Sequence, residues 1–131
     1  MDPDALLALM PFAGATGVEL DSAAPHEVTG RLPWAPQRCT AGGVLHGGAL
    51  MTLADTVGAV CAFLNLPPGA STSTVSSATS LMRPVRGGAA HATARPLHVG
   101  RSTVVVLTEV TDDEGRPVAS VTQTQAVLGP A

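Results

Sequence analysis

Residues 45–64 read LHGGALMTLADTVGAVCAFL, and Leu50, Leu53, Val57, Val60, Cys61 and Leu64 recur at i, i+3, i+4 spacing. That spacing predicts one long helix, about 28 Å from end to end at 1.5 Å per residue. It is apolar on nearly every side, so it belongs inside a small protein or inside a membrane. A membrane span would hold Asp55 near the bilayer centre at a cost of roughly 3 kcal/mol or more, and the stretch opens on Gly47-Gly48 without flanking Lys. A buried core helix is the expectation.

The chain around this helix is strand-like. Residues 71–82, 88–98, 101–111 and 117–128 are rich in Val and Thr. They are separated by turn sequences at Arg83-Pro84 to Gly87-Gly88, at Gly100-Arg101 and at Asp112-Asp113-Glu114-Gly115, which predicts a four-strand antiparallel meander. Upstream, Val18, Leu20 and the stretch Glu27 to Leu32 read as two short strands interrupted at Ala24-Pro25. Asp2-Pro3 is a helix-start pair and predicts a short helix over about 3–11. The segment PWAPQRCTAGG, residues 33–43, is a loop leading into the long helix. One apolar helix with a run of antiparallel strands implies an α+β fold, a curved sheet wrapped around the helix, in a single domain over 1–131.

Composition excludes several functions. With 131 residues, 45% hydrophobic and 13% charged, the chain has the apolar surface for one core and none of the character of a disordered segment. Phe12, Phe63 and Trp34 are the only aromatic residues, the net charge is -3, and the seven basic residues are scattered arginines, so nucleic acid is not an expected partner. The absence of Lys removes a P-loop at Gly42 to Gly48 and Schiff-base chemistry. Cys39 and Cys61 cannot make a disulfide framework and read as reduced thiols. The opening MDPDALLALMPF has no basic region before its apolar run and does not resemble a secretory signal, so a cytoplasmic protein is expected.

Asp55 is the only charged residue between Arg38 and Arg83, in the middle of the most apolar segment. Its helical neighbours Met51, Thr52, Gly58 and Ala59 are a patch with small residues that leaves room for a ligand beside the carboxylate. An Asp in such a place also serves structure, paired with an arginine or with backbone N–H groups. At the helix start, His46-Gly47-Gly48 presents free N–H groups that could hold an oxyanion, although the glycines would equally serve a tight turn or close packing. His46 and Asp55 lie nine residues apart, about 180° round a helix, so they form no dyad within one chain; a second chain could bring them together. His26, His46, His91 and His98 show no ligand spacing, and no metal is expected. Neither cysteine has a basic neighbour on its own element to activate it.

LHGGALMTLADT at 45–56, LMRPV at 81–85 and GRSTVVVLTEVTDDEGRPVASVTQT at 100–124 together resemble the hotdog-fold thioesterases, in particular the phenylacetate-pathway (PaaI-like) type that hydrolyses acyl-CoA. The resemblance covers roughly residues 15–128. It implies a long helix wrapped by a five- to six-stranded antiparallel sheet, and homodimers commonly paired into homotetramers, in which the acid of one subunit's helix faces the Gly-rich helix start of the other. Carried over by position, Asp55 matches the catalytic carboxylate, general base or nucleophile. Gly47 matches the backbone N–H that polarises the thioester carbonyl, Thr74 a hydroxyl that helps place the attacking water, and His46 the motif histidine. Family members usually have Asn or Gln six residues before that histidine, and this chain has Thr40; Gln37 would fill the role only with a three-residue shift of the loop. Gly48 is expected at the substrate, and Arg83, Arg86 and Arg101, each beside a turn, are candidates for the CoA phosphates. No cofactor is implied beyond the coenzyme A of the substrate, and neither a membrane nor a nucleic-acid partner. Two other functions suit the same fold: an acyl-CoA binding module without catalysis, and a dehydratase or hydratase.

Overall fold

A computed structural model describes residues 2–129. The elements are α1 (Pro3–Ala8), α2 (Pro11–Thr16), β1 (Glu19–Ala24), β2 (Glu27–Pro33), a 3-10 turn at Pro36–Arg38, α3 (Gly47–Leu64), β3 (Ser71–Leu81), β4 (Ala89–Val99), β5 (Thr103–Thr111) and β6 (Pro117–Leu128). The six strands form one antiparallel sheet in the order β1-β2-β4-β5-β6-β3, curled around α3.

The long helix is present and starts at Gly47, two residues later than its hydrophobic pattern, because Leu45 forms an isolated bridge with Cys39. Leu50, Leu53, Val57, Val60 and Cys61 are buried against the sheet. The opposing strands supply Val28 and Leu32, Ala90, Ala92 and Ala94, Val104, Val106 and Val110, and Val118 and Val121. The alanines of β4 keep the middle of the sheet thin, so the leucines and valines of α3 can pack close against it.

Two expectations are corrected. The single N-terminal helix is two: Asp2 caps α1, accepting from Ala5 N at 3.1 Å, but Pro11 cannot extend it and instead starts α2 at its first position. The four-strand meander is also wrong at one place. β4, β5 and β6 are consecutive neighbours, but β3 lies at the far edge, paired with β6 and not with β4. Ser and Thr fill eight of the eleven positions of β3, so it has little to bury and suits an edge, whereas the inward alanines of β4 require the centre. The segment after β3 is therefore a crossover. It is pinned by buried Val85, whose carbonyl accepts from Leu45 N at 2.9 Å, and by Gly88, whose carbonyl accepts from Trp34 N at 2.8 Å.

Candidate active site at the two ends of one helix face

His46 caps α3. Its Nδ1 accepts from Gly48 N at 2.8 Å, and its carbonyl accepts from Ala49 N at 2.9 Å and Leu50 N at 3.1 Å. With His46 N, which donates to Arg38 O at 2.8 Å, Gly48 N and Ala49 N, three of the four N–H groups that a helix start leaves open are satisfied, while Leu50 N makes the first regular bond of the helix. The Gly47 N–H alone has no partner among the described residues. It keeps the positive end of the helix dipole and is free for an oxyanion. Gly48, expected at the substrate, has its N–H taken by the imidazole. Since Nδ1 is an acceptor, the proton of a neutral His46 is on Nε2.

The loop that places this turn is held from several sides. His46 N donates to Arg38 O at 2.8 Å, and the Arg38 guanidinium donates to Thr16 O at 2.6 Å and Pro33 O at 2.8 Å. The guanidinium lies over Gly17, whose φ of 101° closes α2 and where a Cβ would strike the Arg38 side chain. Thr40 N donates to Val44 O at 2.9 Å, which closes a tight turn and leaves Thr40 exposed. A cleft of about 440 Å³ opens between α2, the 3-10 turn and the first turn of α3, lined by Phe12, Gln37, Cys39, His46, Gly48 and Thr52. Gln37 lines this cleft and Thr40 does not.

Asp55 lies two turns along α3 and is exposed to solvent on its outer side, with Gln123 beneath it. Its Oδ1 accepts from Gln123 Nε2 at 3.0 Å. Burial of the rest of the carboxylate raises its pKa above the ordinary Asp value, and the Gln123 hydrogen bond partly offsets this. No ion pair involves Asp55 among the described residues. The expected room at Gly58 is already filled: a Cβ there would overlap Gln123 Oε1 and come within 3.0 Å of Gln123 Cδ. Of the other helical neighbours of Asp55, Met51 is exposed and Ala59 half-buried.

Thr74 Oγ1 accepts from Gln125 Nε2 at 2.7 Å, which leaves its own proton to donate elsewhere. A bulge between Thr74 and Ser76 turns Val75 outward, 62% exposed. Val75, Leu81 and Met82 on and beside the edge strand and Met51 on α3 leave apolar surface open on this side of the molecule.

The three arginines are not gathered together. Arg83 and Arg86 line a cleft of about 500 Å³ with Asp112, Asp113, Glu114 and Arg116, whereas Arg101 sits in the β4–β5 turn at the other end of β5. Nine residues of strand separate those ends by about 27 Å. Arg83 donates to Pro117 O at 3.2 Å, and Arg116 is paired with Asp112 at 2.8 Å.

Sequence reasoning missed Gln123 and Gln125, both almost fully buried. The signal was in the strand alternation: Val121, Gln123 and Gln125 share the inward phase of β6, so two amides are carried under the helix.

The family model of the thioesterase superfamily matches residues 42–119, from the loop before α3 into β6. This chain belongs to the thioesterase superfamily. The Mycobacterium tuberculosis protein named "Putative esterase Rv1847" is 30% identical over 120 residues, covering 89% of this chain and 86% of that one. The proofreading thioesterase EntH of Klebsiella pneumoniae is 34% identical over 87 residues, 66% of this chain and 64% of the relative. Among solved structures, a mutant of the thioesterase PA1618 from Pseudomonas aeruginosa superposes with a TM-score of 0.91 at 25% identity, covering 98% of this chain and 94% of that one. The fold is the hotdog fold of these thioesterases, and the superfamily's chemistry, hydrolysis of a small-molecule thioester, is that of this chain. Within one protomer the two candidate groups stand apart: Gly47 and Asp55 are eight residues apart on α3, about 12 Å along the axis.

Proposed function

We propose that this thioesterase hydrolyses an acyl-CoA or aryl-CoA thioester in the cytoplasm. Its working unit is a homodimer, paired further into a homotetramer, in which Asp55 of one protomer meets the helix start of the other. The observation that carries the reading is a pair of groups on α3: one N–H without a partner among the described residues at Gly47, and one carboxylate with a raised pKa at Asp55. The Gly47 N–H has no structural partner among the described residues, and Asp55 commits only Oδ1, to Gln123, which leaves Oδ2 for chemistry.

In this reading the Gly47 N–H, with Gln37 in place of the expected Thr40, donates to the thioester carbonyl, where negative charge develops as the tetrahedral centre forms. The Asp55 carboxylate either takes a proton from water, whose oxygen attacks the carbonyl carbon as the C–S bond breaks and CoA leaves as its thiolate, or attacks that carbon itself. The direct attack forms a mixed anhydride as the thiolate leaves, and water then hydrolyses the anhydride to the free acid. Thr74 Oγ1 donates to the water. His46 holds Gly48 and with it the orientation of the Gly47 N–H. Arg83 and Arg86, rather than Arg101, supply the surface cations nearest one another for phosphates. Leu, Met and Val around Met51 admit an apolar acyl group.

Free-thiol release from aryl-, short- and medium-chain acyl-CoA tests this, with wild type and Asp55→Asn compared at matched fold and oligomeric state. A loss of 10³-fold or about that order in the variant is expected. Binding of CoA ligands without turnover by the wild type would replace the enzyme by a binding module.

A further inference from the structure

Beneath Asp55 the core contains a polar cluster that the chemistry above leaves unused. Gln123 on β6 and Thr108 on β5 are both fully buried, and both press on Gly58 of α3. Gln123 Nε2 donates to Asp55 Oδ1 at 3.0 Å and approaches the Asp55 backbone carbonyl at 3.5 Å. Its other amide atom, Oε1, has no partner among the described residues, and neither has Thr108 Oγ1. Buried amide oxygens left unpaired are costly, and a Leu or Met next to Val121 would avoid that cost. The hydrogen bonds that this amide does make both go from Nε2 to Asp55, the shorter to its carboxylate.

We propose that Gln123 is a positioning residue for the reaction: it anchors Asp55 through Oδ1 and thereby assigns Oδ2, which has no partner among the described residues, as the oxygen that meets water or substrate. The inference rests on the thioesterase reading of Asp55 and deepens it. An Asp side chain turns about two bonds, and a carboxylate at the rim of a helix would sample several orientations. One bond from a fully buried amide removes that freedom before substrate arrives. The amide cannot reverse, because its oxygen would then face the carboxylate. Gly58 belongs to the device, since any side chain there would displace the amide.

The charge environment leaves Gln123 as the main polar influence within the protomer. α3 carries no ionisable group besides Asp55 and Cys61, and β3 and β6 carry none. Glu19 and Asp21 on β1, Glu27 and Arg31 on β2, His91, Arg95 and His98 on β4 and Glu109 on β5 lie outside the buried set that faces the helix. From α2 no ionisable side chain faces it.

The test is steady-state hydrolysis of the best thioester of the panel by Gln123→Met, which keeps volume and removes the donor, and by Gln123→Asn, which keeps an amide too short to reach. Expected are a kcat about 10- to 100-fold lower, a KM within about twofold of wild type, and an acid limb of the kcat/KM profile displaced to higher pH, because the bond lost favoured the ionised form. Asp55→Asn and Asp55→Asn/Gln123→Met should share one residual rate. Should Gln123→Met not fold, Gln123→Asn carries the same expectations. Wild-type kcat and an unmoved acid limb in a folded Gln123 variant, beside an inactive Asp55→Asn, overturn the positioning role alone. Full turnover by Asp55→Asn overturns the role of Asp55 and this inference with it.

Discussion

Gly58→Ala is the substitution whose outcome the packing beneath α3 determines most directly. In an exposed helix, Gly to Ala stabilises by about 1 kcal/mol, since Ala loses less backbone entropy. At Gly58 the new Cβ would overlap Gln123 Oε1, stand 3.0 Å from Gln123 Cδ and 3.1 Å from Thr108 Oγ1, and none of these has room to move because both side chains are fully buried. Overpacking a tight core costs about 1–3 kcal/mol. Displacing the amide also breaks its bond to Asp55, about 1.5–3 kcal/mol for a charged acceptor and less where solvent shares it. After the helix gain is offset, a net loss of about 2–4 kcal/mol remains, which in a domain of this size lowers Tm by roughly 8–15 °C. The assay is thermal and urea unfolding at one fixed protein concentration, with Gly14→Ala as the matched control, because a Cβ at Gly14 meets nothing within 4 Å. Gly14→Ala should be neutral or stabilising by up to about 1 kcal/mol. A Gly58→Ala protein as stable as wild type, with unchanged turnover, would refute the claim that Gln123 fills this space.

Asp55→Asn should not lower Tm even as it abolishes turnover, because burial raises the pKa of Asp55 and so disfavours the charge that the variant removes, while the Asn oxygen still accepts from Gln123; differential scanning calorimetry above neutral pH checks it. Asp112→Asn should do the reverse. Burial alone would raise the pKa of Asp112, but the backbone N–H groups of Arg116 and Glu114 and the Arg116 guanidinium hold it below the ordinary value. Its stabilising effect is therefore full above the unfolded pKa and lost as pH falls through the lower folded one, so wild type and variant should differ at pH 7 and converge under acid in denaturant titrations. Val75→Lys, at the 62%-exposed bulge position of the edge strand, should weaken self-association without unfolding the protomer, read as a fall in mass by light scattering on dilution. A full-mass Val75→Lys assembly would place the dimer contact elsewhere.

The helix and the strand set were legible because they are written locally. A 3.6-residue repeat over 45–64, Val-Thr alternation and turn residues at fixed places depend on neighbours a few positions away. Asp55 was visible as the one charge in an apolar stretch, and Gly47 as a residue free of a side chain at a helix start. Strand order was not local: β3 and β4 are joined by a turn-like sequence, yet the inward alanines of β4 and the Ser-Thr face of β3 put them at the centre and the edge of the sheet. Pro11 was read as a stop when it is also a start.

The sequence by itself determined a buried helix, an antiparallel sheet, the lone carboxylate and the glycine start, because each follows from short-range periodicity and backbone chemistry. Only the tertiary structure decided what those groups touch. It brought Gln123, 68 residues away, under Asp55 and into the space Gly58 leaves. It turned the loop so that Gln37 and not Thr40 lines the cleft beside His46. It also used three of the four N–H groups at the helix start and left Gly47's. Those outcomes depend on the register of β6 and on how a curled sheet closes around one helix, distances that no pattern along the chain encodes.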